Sequence, residues 1–316
     1  MPLALSVTAL RSKLAPSRGG GGLALTDVPK FVRDELGLTG LYLSTELLAG
    51  ADRARLMHVL ECADKAACPV LVLGEAVAQP LADPSDARAD LAVERCMRVA
   101  QAAHWMGCSA FAVPVSAPDN EDAMELVSER LKLVARRSEK LDLNLSIAPT
   151  TGLTATSDKV GELLKRIGGF RIGTLPDFAT AAKASDPIAY LRRLVPYASM
   201  VLASATGFEP AGAGRGGGKV KAKGKLGEVG SAGEGGSGEG LVHTAYDLGA
   251  MASVLVAVGF EGPIAIDYKG AGDPVPGILH VKGVLERLFS TGVSDDVLDS
   301  IEADLEKDLG DSDDER

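Results

Sequence analysis

Short unbroken apolar runs alternate along the chain with longer stretches in which apolar residues recur at helical spacing, a pattern that predicts strand–helix units. Residues 3–7 form the first run. Polar and glycine-rich sequence follows at 11–22, and a helical pattern then opens at Thr26 and Asp27. The unit recurs: runs at 40–43, 70–73 and 110–113 precede helical stretches at 51–67, 83–106 and 120–140. The second half continues with runs at 144–147 and 170–175 ahead of helices at 157–167 and 187–195. Runs at 200–203 and 264–266, with helices at 244–258 and 277–289, end the series. Eight strands alternating with eight helices predict an α/β fold, a (β/α)8 TIM barrel, over residues 1–293. Each strand is a continuous apolar run, as expected when both faces of a parallel sheet are buried. An open doubly wound sheet is the alternative, since element counts alone do not prove closure.

Two segments break the pattern. Residues 211–240 are rich in glycine with Lys, Glu, Ser and Ala, and contain too little apolar surface to order themselves. They predict a flexible, disordered insert between the seventh strand and the seventh helix. Near the end, Val297, Ile301, Leu305 and Leu309 recur every four residues behind Ser294-Asp295-Asp296. This spacing predicts a short amphipathic helix that packs on the outside of the barrel or on a neighbouring subunit of a homo-oligomer. An acidic tail follows at 311–316.

Composition narrows the function classes. The chain of 316 residues is 46% hydrophobic, ample for a sizeable core. A formal net charge of -10 repels a phosphate backbone, and 4% aromatic residues offer little for base stacking, so no nucleic-acid partner is expected. No apolar run reaches the roughly 18 residues of a spanning helix, and residues 1–10 lack the basic start and long apolar core of a secretion signal. The expectation is a cytoplasmic protein with no membrane partner. Cys62, Cys68, Cys96 and Cys108 sit singly in apolar segments and read as buried free thiols.

In a parallel barrel, functional side chains come from the carboxyl ends of strands and from the first turns of the helices that follow. That rule selects Glu46, Glu75, Asp177 and Asp267 after strands two, three, six and eight, and His243 and His280 at the starts of helices seven and eight. His58 and His104 fall within or late in helices and are assigned structural roles. Carboxylates converging on one mouth hold a divalent cation such as Mg, Mn, Co or Zn through oxygen, and the cation polarises a sugar carbonyl or stabilises an enediolate. The same acids at helix N-termini also cap amides and complement the helix dipole.

Three landmarks carry a family resemblance: residues 144–154 (Asn-Leu-Ser-Ile-Ala-Pro-Thr-Thr-Gly-Leu-Thr), 172–178 (Ile-Gly-Thr-Leu-Pro-Asp-Phe) and 259–270 (Gly-Phe-Glu-Gly-Pro-Ile-Ala-Ile-Asp-Tyr-Lys-Gly). They resemble the xylose-isomerase-like barrels of the sugar phosphate isomerase/epimerase group. The resemblance implies a divalent metal held by Glu, Asp, His and Glu from strands five to eight, with a pair of acids moving a proton beside the sugar carbonyl. This chain departs from the pattern. Ala148-Pro149-Thr150 stands where the family has Glu-Asn-His, Leu202-Ala203-Ser204 where it has His-x-Lys, and Asp267 where it has Glu. Asp177 is kept. Two carboxylates alone would leave a metal mostly hydrated, so metal binding is expected to be weak or absent, with Glu75, His243 or His280 as candidates for a further ligand.

Two readings follow. One is an isomerase or epimerase acting on a sugar or sugar phosphate, with Asp177 and Asp267 as metal or hydroxyl contacts and Glu75 as the base. The other is a non-catalytic barrel that binds a carbohydrate or a protein through the same mouth, having lost the metal site. Metal-dependent cleavage of DNA, known among distant barrels of similar build, needs a richer set of His and carboxylate ligands.

Overall fold

A computed structural model describes residues 1–15, 22–210 and 241–291. The first half runs β1 (Leu3–Ser6), α1 (Val28–Leu36), β2 (Leu41–Ser44), α2 (Arg53–Lys65), β3 (Val70–Gly74), α3 (Asp86–Trp105), β4 (Ala110–Ala117) and α4 (Glu121–Glu139). The second half runs β5 (Asn144–Gly152), α5 (Ser157–Ile167), β6 (Ile172–Thr174), α6 (Phe178–Ala181), α7 (Pro187–Leu194) and β7 (Val201–Ala205). It ends with β8 (Phe208–Pro210), β9 (Leu241–His243), α8 (Leu248–Ala257), β10 (Ile264–Tyr268) and α9 (Pro274–Thr291).

Eight parallel strands form one sheet in the order β6-β5-β4-β3-β2-β1-β10-β7. The two ends of that order meet. Bridges join Thr174 to Ala198 and Asp177 to Leu202, and the amides of Ser199 and Leu202 donate to the carbonyls of Thr174 (3.1 Å) and Pro176 (2.9 Å). The sheet is therefore a closed barrel, and no edge is left for a ninth strand.

Helix starts follow local chemistry. Asp52, Asn120, Thr156, Asp186 and Asp247 each precede a helix and accept a hydrogen bond from an amide of its first turn. These caps satisfy donors that the helix itself leaves orphaned. Gly37 ends α1 in the left-handed region (φ 61), a conformation glycine adopts without a Cβ penalty.

The hydrophobic interior has two parts. The larger lies between strands and helices and includes Leu5, Leu43, Phe111, Leu145, Ile147 and Ile266. The smaller fills the barrel lumen with Ala4, Val72, Ala110, Ala112, Leu175, Met200 and Ala265, against which Tyr42, Ala148 and Leu202 pack. Alternate residues of each strand thus serve one part or the other, and the many small inward residues set how much space remains at the mouth. Cys68, Cys96 and Cys108 are buried, and desolvation pushes their thiols up to about 11, 12 and 12.

One difference from the sequence pattern bears on the site. The helix expected from residue 244 begins at Leu248, where the Asp247 side chain accepts from the amide of Ala250 (2.9 Å). Before it, β8 and β9 pair antiparallel, with Phe208 opposite His243 and Pro210 opposite Leu241. His243 therefore belongs to a strand, not to the first turn of a helix. The insert at 211–240 and the helix and tail at 294–316 lie outside the described residues.

Candidate functional site

The site grows out of strand register. Leu5 pairs with Ile266, and Asp267 pairs with Ser204, so the carboxyl ends of β1, β10 and β7 stand side by side. Asp267 is buried. Its Oδ1 accepts from the hydroxyl of Thr8 (3.1 Å), in the 3-10 turn that follows β1. Its Oδ2 takes the Lys269 ammonium at 2.8 Å and the Ser204 hydroxyl at 3.4 Å. Lys269 Nζ also reaches Ser204 Oγ at 3.4 Å. Burial pulls the lysine's pKa down, but the Asp267 and Asp177 charges and the hydrogen bond to Asp267 outweigh it, leaving the pKa above its ordinary value.

Asp177 approaches from the closing seam of the barrel. It caps α6, accepting from the amide of Ala179 (3.2 Å) and the hydroxyl of Thr180 (3.2 Å). Its pKa is raised. Burial is the main cause and the neighbouring charge of Asp267 adds to it, while Lys269 and the Ser204 hydroxyl pull the other way. The structure thus brings Asp177 and Asp267 into one electrostatic neighbourhood around Lys269.

A cavity of about 730 Å³ opens in front of this cluster, walled by Thr8, Tyr42, Glu46, Glu75, Asp267 and Lys269 among others, with Leu202 also in the wall. That is the size of a small-molecule site. Asp177 does not contribute to the wall. Tyr42 crosses the lumen so closely over β3 that a Cβ at Gly74 would overlap its hydroxyl. Burial and the charges of Asp267, Asp177, Glu46 and Glu75 push its pKa up, so its hydroxyl is a proton-bearing donor.

The remaining candidates are held differently. Glu75 is buried in the cavity wall, with Oε2 on Arg95 Nε (2.7 Å) and Oε1 accepting from the Thr45 hydroxyl (3.2 Å) and the Val77 amide (3.3 Å). Glu46 pairs with Arg11 at the exposed rim. His243 turns away from the carboxylates. Its Nε2 accepts from the Thr206 amide (3.0 Å) and its Nδ1 donates to the Tyr246 carbonyl (3.0 Å). Burial lowers its pKa against the raising effect of that carbonyl, and it lines a separate cavity of about 270 Å³ with Phe208, Tyr246 and His280. The His280 ring lies 4.3 Å from that of Phe208, within α9. His104 meets the Leu141 carbonyl (3.1 Å), and His58 pairs with Glu61 on the surface.

Sequence reasoning did not single out Thr8, Tyr42, Ser204 and Arg95 as site residues. Thr8 and Ser204 sit at strand ends and were reachable by the barrel rule. Tyr42 and Arg95 gave no signal, because Tyr42 looks like an ordinary strand residue and Arg95 reaches the mouth from the middle of α3.

The donor set can be weighed against the divalent metal that the resemblance implies. Ala148 and Leu202 are apolar and pack in the lumen, and both nitrogens of His243 are engaged elsewhere. Among the described residues no group of three or more His, Cys, Asp or Glu is arranged to hold a metal. The residues present do not fit such a cation, because Asp267 already holds the Lys269 ammonium and Asp177 is the one other carboxylate at a ligand position.

A closed parallel βα barrel with an acidic, hydroxyl-lined mouth defines a broad class of small-molecule sites. Residues 36–288 match the model of the xylose isomerase-like TIM barrel family, and the chain belongs to that family. Among solved structures it is similar to L-ribulose 3-epimerase, with a TM-score of 0.68 at 12% identity, covering 92% of this chain and 97% of that one. It is also similar to the apo form of 3-keto-D-glucoside 4-epimerase from E. coli (TM-score 0.63, 12% identity, 91% and 99% covered). D-psicose 3-epimerase in the presence of D-fructose gives a TM-score of 0.62 at 11% identity, with 89% and 90% covered. At such identities the likeness is one of fold. No curated protein sequence matches the chain.

Proposed function

We propose that the mouth of this barrel binds a small carbohydrate, a sugar or sugar phosphate, and that recognition has outlasted the metal-assisted proton transfer implied by the family resemblance. The observation that carries this reading is the trio Thr8, Asp267 and Lys269 in the wall of a cavity of about 730 Å³, where Asp267 accepts from Thr8, from Lys269 and from the fully buried Ser204 hydroxyl. Vicinal hydroxyls need closely spaced donors and acceptors, and a carboxylate, the Thr8 hydroxyl and an ammonium on adjoining strand ends provide them without reorganisation. The sugar epimerases among the structural neighbours support the substrate class. Glu75 is held by Arg95 and Thr45, which argues for a fixed wall group rather than a mobile base.

A catalytic reading has one observation of its own. Burial raises the pKa of Asp177 while Asp267, close by, is matched to an ammonium, and paired acids with unlike environments can divide the roles of acid and base.

Calorimetry with chelator-treated full-length protein against a panel of ketoses, aldoses and their phosphates tests the binding reading. Saturable binding in the parent, weakened at least ~10-fold by Asp267→Asn through loss of a charge-assisted hydrogen bond, is expected. No binding across the panel would overturn it. Incubating each bound sugar with the protein in D2O and following the carbon beside the carbonyl by NMR separates the two readings. Binding without deuterium uptake supports recognition alone, whereas uptake that disappears in Asp177→Asn establishes the catalytic one.

A further inference from the structure

We propose that the ammonium of Lys269 is the resident cation of this barrel mouth, holding the place that the family resemblance gives to a divalent metal. The inference rests on reading the mouth as the ligand site, but its own support is geometric. Lys269 Nζ stands 2.8 Å from Oδ2 of Asp267, the residue at the strand-eight ligand position, and within electrostatic reach of Asp177, the strand-six position. The other two ligand positions are Ala148 and Leu202, which pack against the apolar lumen and offer no donor. One cation therefore already pairs with one of the two carboxylates that a metal would need and acts at longer range on the other, and it is tethered by the chain two residues beyond Asp267.

The exchange has chemical consequences. An ammonium carries three N–H donors. Those on Lys269 reach Asp267 and Ser204, which leaves one for a ligand oxygen in the cavity that the lysine lines, and its side chain is 52% exposed. A divalent ion can grip two sugar oxygens at once and carry the charge of an enediolate. A single ammonium hydrogen-bonds a carbonyl or hydroxyl and polarises it far less. Lys269 is thus a recognition group, and it keeps a metal from these carboxylates by occupying an oxygen of Asp267 and by like-charge repulsion.

Thermal unfolding of the chelator-treated full-length protein under MnCl2 titration tests this. The parent Tm is expected to stay flat through millimolar Mn²⁺. Lys269→Met keeps the aliphatic stem and removes the charge, and its Tm is expected to rise by several degrees with Mn²⁺, because an ion that binds only the folded state stabilises it. That response should vanish in the Lys269→Met/Asp267→Asn double variant, and Lys269→Arg should remain as flat as the parent. If Lys269→Met does not fold, Lys269→Gln takes its place in the same titration. Stabilisation of the parent at micromolar Mn²⁺ would overturn the proposal, and so would a folded charge-free variant that does not respond. The outcome is independent of the sugar calorimetry: a parent that binds no sugar but shows this metal pattern removes the carbohydrate reading and leaves the lysine in the metal's place.

Discussion

Asp177 and Asp267 are the same side chain at the ends of two strands, yet their surroundings give them opposite electrical tasks. Asp267 has a lysine at 2.8 Å and two hydroxyl donors, whereas Asp177 is desolvated beside another acid. An acid whose folded pKa lies above its unfolded value binds protons more readily when folded. Its contribution to stability is complete below the unfolded value near 3.8 and is lost as pH rises through the folded value. At neutral pH Asp177 is therefore a cost to the fold. Asp177→Asn keeps an acceptor for the Ala179 amide and removes that cost. Its Tm should exceed the parent's at pH 7, with the gap closing as the buffer approaches pH 4. A variant less stable than the parent at pH 7 would show that the pairing with Lys269 outweighs burial.

At the scale of elements, the β8–β9 hairpin is the feature that rearranged the candidate site. Its strands are only three residues each, separated by 30 residues of glycine-rich sequence at 211–240, so no local apolar pattern announces it. Pairing with Phe208 puts His243 in a strand and commits both ring nitrogens to backbone groups. Tyr246, whose carbonyl it holds, donates its own hydroxyl to the Ser204 carbonyl, so the hairpin buttresses the strand that carries the Ser204 hydroxyl. Burial lowers the His243 pKa below 6.5. The stability it contributes is present above that unfolded value and is lost as pH falls through the lowered folded value. The parent Tm should fall more steeply between pH 7 and pH 5 than that of His243→Gln, which can keep both hydrogen bonds and does not titrate. Equal slopes would refute a role for this histidine in acid sensitivity.

For the whole molecule, the barrel is closed by strands outside the hairpin, and the backbones of Pro210 and Leu241 are register partners. The two residues that flank 211–240 thus lie side by side. Replacing residues 211–240 with Asn-Gly should close the hairpin by a tight turn and change the Tm by only a few degrees, since each doubling of loop length costs ~0.6 kcal/mol. A large drop in a thermal melt would mean that the segment contributes packing of its own.

The barrel was legible in the sequence because a parallel strand buried on both faces must be a continuous apolar run, and the runs before Asp177 and Asp267 ended in charge. Those two acids are local statements, and local chemistry decides them. No helix among the described residues is long and apolar enough to cross a membrane, in line with the lack of any long apolar run. What the sequence could not decide was which groups face each other. Arg95 reaches Glu75 from 20 residues away, Thr8 reaches Asp267 across 259, and Lys269 sits over the carboxylates because strand register sets Asp267 beside Ser204. Such meetings depend on barrel closure and stagger, which are properties of the whole sheet. The tertiary structure alone turned a set of acids at strand ends into one matched to a lysine, one held by an arginine and one desolvated at the closing seam with its pKa raised.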